Sequence, residues 1–157
     1  MSESNSEGRI DIKFIKTEHG VDKEKILITP DMYLTGRLYA SQDWAKRADV
    51  EKARAFTQGI IPDYKSPDRS EAYTFHVEAD QEIRVLIGNG HHRTAEGLLE
   101  GRPYGLEVGA YLGVLSQELL DNPQLAMQKL AVLGIQGVFP FKKFMQKFID
   151  VRIDSVK

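Results

Sequence analysis

The sequence predicts an α+β domain, and three observations carry that prediction. Short alternating or β-rich runs recur through residues 9–115, amphipathic helical stretches interrupt them, and residues 116–157 change to a leucine- and phenylalanine-rich helical pattern. With 157 residues, 41% hydrophobic and 28% charged, the chain has the material for one core rather than two.

Residues 1–8 are too polar to pack and read as a mobile tail. RIDIKFIK alternates Ile10, Ile12 and Phe14 with charged residues, the period of a half-buried strand. Ile26, Leu27 and Ile28 form a second extended segment, stopped by Pro30, which has no N–H for a ladder. From Asp43 to Gln58, Trp44, Ala48, Ala55 and Phe56 recur at helical intervals, with Gly59 as a stop. IIPDYKSPDRSEAY is dense in turn formers and reads as a loop. The runs Tyr73 to Val77 and Ile83 to Ile87 then form a hairpin.

TAEGLLEG reads as a short helix ending near Gly101, and RPYGLEVGAYLG as another strand. Ser116 ahead of Glu118 is a helix cap, and Pro123 breaks the leucine-rich stretch into an interrupted helix or two short ones. Phe141, Phe144, Phe148 and Ile149 share one side of a last helix, with lysines opposite. A membrane-surface or partner-binding face is the alternative for that stripe; closure of the core is the expectation. The domain should span residues 9–115, with 116–157 as a helical extension packed on it.

Composition excludes several chemistries. The chain has no cysteine, which removes disulfides, thiolate metal sites and thiol nucleophiles. The formal net charge is −2, so the basic excess that drives sequence-independent nucleic-acid binding is missing. No run approaches the roughly 18 apolar residues of a membrane span. A cytoplasmic location is expected.

Chemistry concentrates in RVLIGNGHHRTAEGLLEG, residues 84–101. A strand, a glycine turn and a helix leave backbone N–H groups free at the helix start, where the local positive charge favours an anion. Gly88 and Gly90 permit a tight turn and close backbone approach, and Arg93 offers a forked donor suited to phosphate oxygens. The stretch lacks the GK[ST] ending of a P-loop and the third glycine of a dinucleotide fingerprint. Adjacent histidines cannot share one helix face, so His91 and His92 do not have helical zinc-site spacing.

With a hairpin before it and a short helix after it, GNGHHR resembles the box of the ParB/sulfiredoxin superfamily. The likeness covers roughly Ile26 to Gly113, including the upstream helix and GIIP. It implies a small mixed sheet flanked by helices, with nucleotide phosphates held at the helix start. Branches of that superfamily hydrolyse nucleotides, transfer phosphoryl groups, repair sulfinic acids or cleave nucleic acid. Gly90, His91, His92 and Arg93 fall on the box. Asn89 stands where an acidic residue is common, and His91 stands where the sulfiredoxin branch has its cysteine, which excludes that repair reaction. The Glu-Asn-x-x-Arg motif and helix-turn-helix of partition proteins are missing, so centromere binding is not expected.

The expected phosphate-binding set is therefore Gly88, Asn89, Gly90, His91, His92, Arg93 and Thr94, with Arg37 and Arg69 as further contacts. His92 would donate to phosphate, His91 would carry a proton, and Glu96 would orient His92 or Arg93 from one helical turn away. The carboxylates available to Mg²⁺ are Asp43, Asp49, Glu51, Asp63, Asp68 and Glu96. The expected ligand is ATP or another nucleotide with Mg²⁺, and the expected reaction is phosphoryl transfer or hydrolysis. Two alternatives are a metal-dependent nuclease and a non-catalytic adaptor that binds DNA or protein through its C-terminal helices.

Overall fold

In the computed structural model, which describes residues 8–14, 25–57, 71–80, 82–102 and 104–155, strands and helices alternate along the chain. They are β1 (Gly8–Phe14), β2 (Lys25–Ile28), α1 (Pro30–Leu34), β3 (Leu38–Ala40) and α2 (Arg47–Thr57). Next come β4 (Glu71–Val77), β5 (Ile83–Asn89), α3 (His91–Leu99) and β6 (Tyr104–Leu115). The chain continues through α4 (Gln117–Leu120), α5 (Pro123–Lys129), β7 (Phe139–Pro140) and α6 (Phe141–Ser155). The strands form one mixed sheet in the order β1-β6-β4-β5-β3-β7, with β2 also paired to β6. The fold is therefore α+β with a mixed sheet.

β4 and β5 are the antiparallel hairpin expected, running from Ala72 opposite Ile87 to His76 opposite Ile83. Its turn is closed by Asp80, which accepts from the Glu82 N–H at 3.0 Å and pairs with Arg84 at 2.7 Å. β6 lies parallel to β4 and antiparallel to both β1 and β2. Its register shifts between Val108 and Ala110, so Leu106 and Ala110, which share parity, point to opposite faces. Gly113, at φ 98, lies in the second shift and takes a backbone conformation that side chains disfavour.

Alternation along the strands gives each face its own core. Tyr39, Phe75, Leu86 and Leu112 meet α4, α5 and the Leu130–Val138 segment on one face. Leu38, Ala40, Val85 and Ile87 meet α2, α3 and α6 on the other. Phe141, Phe144 and Phe148 are fully buried there, each burial contributing about 1.5–3 kcal/mol. The phenylalanine stripe closes the core, while Lys142, Lys143 and Lys147 stay exposed.

Residues 116–155 cover both faces and add a strand, because β7 pairs with β3. Ser116 caps α4 through Leu119 N–H at 3.2 Å, and Asn122 caps α5 through Leu125 N–H at 3.1 Å, so Pro123 opens a second short helix. Pro30 likewise opens α1, with Thr29 as its cap, rather than simply ending β2. Leu38–Ala40, assigned to no element from sequence, is a three-residue strand parallel to β5. α2 begins at Arg47 rather than at Asp43: the Lys46 N–H goes to His92 Nε2 at 3.2 Å while its carbonyl starts the helix by accepting from Val50. Trp44 is thereby left in a loop. Residues 58–70, including Gly59, Asp63, Asp68 and Arg69, and the tail before Gly8 lie outside the described residues.

Candidate functional site

β5 ends at Asn89, and Gly90 turns the chain into α3 with φ 96, ψ 24, the left-handed region. No side chain caps this helix. Its first internal bond is from Thr94 N–H to the Gly90 carbonyl at 3.0 Å, so the preceding amides are those an α-helix leaves without internal partners. The Asn89–Arg93 turn lines a cleft of about 240 Å³ together with Gln42, Trp44, Asp49, Lys52 and Ala53. Two cations, Lys52 and Arg93, and one carboxylate, Asp49, therefore surround a helix start whose dipole is positive.

The two histidines belong to the same lining. His91 is 3% exposed, and its Nε2 accepts the Ser41 N–H at 3.1 Å. That N–H is shared with the Ile87 carbonyl at 3.2 Å, the parallel continuation of β3 beside β5. The imidazole lies parallel to Phe141 with centroids 6.5 Å apart and tilts against Phe144 at 5.3 Å. Burial, and then the neighbouring His92, push its pKa down to about 3, against a hydrogen bond to the Ile87 carbonyl that favours the proton. His91 is thus neutral, with its lone pair on Nε2 and its proton on Nδ1.

His92 repeats the contact one residue on. Its Nε2 accepts the Lys46 N–H at 3.2 Å, and its ring stands edge-on to Phe144 at 5.2 Å. Burial lowers its pKa, Asp49 opposes that shift, and Lys46 adds to it. The pair therefore fastens both ends of the Ser41–Lys46 loop to the first turn of α3. Neither ring contact requires the shared helix face that a metal pair would need.

The site assembled this way differs from the expected one at several positions. Asn89, Gly90, His91, His92 and Arg93 do line one cleft. Gly88 lies inside β5, and a Cβ there would sit 2.7 Å from Tyr73 Cε2; this glycine makes room for a ring. Thr94 is fully buried and donates its hydroxyl to the Gly90 carbonyl at 2.8 Å, which occupies it within the helix. Glu96 orients neither His92 nor Arg93. It is 0% exposed and accepts from Arg152 Nε and Nη2, both at 3.0 Å, because α3 packs that face on α6. His91, buried and neutral, is a support for the loop rather than a proton carrier near neutral pH.

Arg37 pairs with Asp31 at 2.7 Å and with Thr35 Oγ1 at 2.9 Å beside α1, and is not part of the cleft lining. Glu51 pairs with Arg47 on the exposed side of α2. Of the carboxylates considered from sequence, among the described residues Asp49 is the one in the cleft lining. Trp44 and Lys52 belong to the lining and were not singled out from sequence. Lys52 follows Asp49 by three residues, so both fall on one helix face, but only the tertiary packing of α2 against α3 tells which face matters.

Among the described residues no group of three histidines, cysteines or carboxylates is placed to hold a metal ion. A Mg²⁺ ion that arrives with a nucleotide needs only one or two protein carboxylates plus water, and Asp49 meets that requirement. No helix among the described residues is long and apolar enough to cross a membrane. The chain matches no family model, no curated protein and no solved structure.

Proposed function

We propose that the cleft binds a nucleotide, most simply ATP with Mg²⁺, with its phosphates at the start of α3, and that the protein transfers or hydrolyses a phosphoryl group. The observation that carries this is the uncapped, left-handed Gly90 opening α3 onto a cleft that also holds Lys52 and Arg93. Helix-end amides and a guanidinium are the groups that phosphoryl chemistry uses for positioning and charge stabilisation. The likeness of GNGHHR and its flanks to the ParB/sulfiredoxin box supports the same reading.

Within it, the amides of the α3 first turn and Arg93 bind phosphate oxygens, Lys52 adds charge from α2, and Asp49 would hold the Mg²⁺. The ion would neutralise charge on the phosphates. His91 and the aromatic rings beneath it keep the wall in place. His92, half-buried beside Asp49, is the histidine of this pair that can face a ligand. Thermal denaturation with ATP, ADP, CTP and GTP plus Mg²⁺ tests the reading: a ligand that prefers the folded state raises the transition with concentration. No shift with any of them, in protein shown to be folded, overturns it.

The confinement of His91 and Glu96 favours a second reading, in which the fold acts as a non-catalytic adaptor. Nucleotide binding without any release of phosphate over extended incubation supports that version. Turnover abolished by Arg93→Ala in a folded variant removes it.

A further inference from the structure

The cleft is too small for the ligand assigned to it. Its volume of about 240 Å³ falls below the roughly 300–1,000 Å³ of sites that enclose drug-sized ligands. A phosphate chain with the amides and cations around it fills such a space. The nucleoside must then extend beyond it, and Trp44, which lines the cleft, is exposed.

Trp44 is the single tryptophan of the chain and is 41% exposed. Leaving so large an apolar ring in water forgoes burial energy that other aromatic residues here collect. Its loop is nevertheless fixed. Ser41 N–H is held by His91 and Lys46 N–H by His92, at 3.1 and 3.2 Å, and Gln42 Nε2 donates to the Trp44 carbonyl at 2.9 Å. Lys46 Nζ lies 5.2 Å from the ring centroid, a cation against the π face. An exposed indole on a preordered loop, lining a cationic cleft, is a platform on which a flat ring can stack with little ordering cost.

We propose that Trp44 is the base-stacking and specificity-determining residue of this site, selecting nucleoside phosphates over polyphosphates and sugar phosphates. The inference rests on the phosphate reading of the α3 turn and adds the identity of what extends from it. Stacking involves π faces, so it favours any base over none while leaving base identity open.

The test uses the full chain and two probes, MgATP and Mg-tripolyphosphate, which share the phosphate chain and differ in the nucleoside. Because the protein has one tryptophan, its fluorescence reports this ring alone. MgATP should quench or shift the emission, and tripolyphosphate, bound by calorimetry, should not. Trp44→Ala should weaken MgATP binding about tenfold, the loss expected for one stacked base, and leave tripolyphosphate affinity unchanged. Trp44→Phe should recover most of the difference. Equal binding of the two probes, or a Trp44→Ala variant that weakens both alike, overturns the stacking role while leaving the phosphate site standing. Failure of both probes to bind overturns the phosphate reading and this inference with it.

Discussion

The imidazole of His91 and the backbone of Ser41 meet at 3.1 Å in the protein interior, Nε2 accepting from N–H. The contact joins the end of β3 to the start of α3, and the ring also packs on Phe141 and Phe144. His91→Ala removes the acceptor and leaves a cavity among these rings, so a loss of about 2–4 kcal/mol is expected in urea unfolding. His91→Gln, which can present an amide oxygen to Ser41, should lose less.

The same histidine makes stability pH-dependent. In the unfolded chain it titrates near its ordinary 6.5, whereas in the fold burial holds it at about 3. Above 6.5 both states are neutral there and the contribution is fully present. As pH falls from 6.5 toward 3 the unfolded state takes up a proton that the folded state refuses. Stability then declines with a limiting slope of about 1.4 kcal/mol per pH unit for one proton. His92, also depressed, adds in the same direction. Carboxylates titrate in the lower part of this interval, so the measurement is the difference between wild type and His91→Gln across it. A pH profile with the same slope in both proteins contradicts the assignment.

Local signals made much of the architecture legible, and tertiary ones hid the rest. The β4–β5 hairpin and the Ser116 cap are written in neighbouring residues, and so is the turn at Gly90. Leu38–Ala40 is too short to show a period and is a strand only because β5 and β7 lie on either side of it. Trp44 looked like the first apolar position of α2, and what places it in the loop is a bond from Lys46 to a histidine 46 residues away. At the site, the glycine turn and Arg93 were visible as a run. The withdrawal of the His91 and Glu96 side chains into the interior was not, because burial against α6 decides it.

Gly88 and Gly90, alike in sequence, should respond differently to alanine. At Gly88 the new Cβ meets the Tyr73 ring at 2.7 Å, an overpacking that costs about 1–3 kcal/mol. Tyr73→Ala removes the obstructing ring, so the double variant should show strong coupling; Tyr73→Phe retains Cε2 and should not help. At Gly90 the cost comes from φ 96, about 1–2 kcal/mol for a residue with a Cβ in left-handed conformation, and no change at Tyr73 relieves it. Thermal unfolding of the four single variants and the Gly88/Tyr73 pairs measures this.

Arg93 lines the cleft from the first turn of α3 and is only partly exposed. Arg93→Ala should weaken MgATP by about 2 kcal/mol, the worth of a charged hydrogen bond to phosphate. Arg93→Lys keeps the charge but not the fork and should fall between. Raising salt should weaken wild-type binding more than that of the alanine variant, since a charge pair has been removed. Calorimetric titration at two ionic strengths checks both statements; a salt response identical in the two proteins removes Arg93 from the phosphate contacts.

Glu96 and Arg152 give the complementary case, a charged pair that should matter for the fold and not for the ligand. Glu96 is completely buried, and both its oxygens accept from the Arg152 guanidinium at 3.0 Å, tying α3 to the last turns of α6. Arg54 Nη2 donates to the Arg152 carbonyl at 3.4 Å and draws α2 into the same junction. Arg152→Met leaves a carboxylate in the interior without its counter-ion, at a cost of about 3 kcal/mol, the lower part of the range because the guanidinium is partly exposed. Glu96→Gln keeps hydrogen bonding without the charge and should cost less. The combined Glu96→Leu, Arg152→Met variant replaces the pair by apolar groups and should recover most of the loss, since the desolvation of both ions also disappears. In every one of these variants the folded fraction should bind MgATP as wild type does, because neither side chain lines the cleft. A nucleotide affinity that follows Glu96 rather than stability would return this residue to the site.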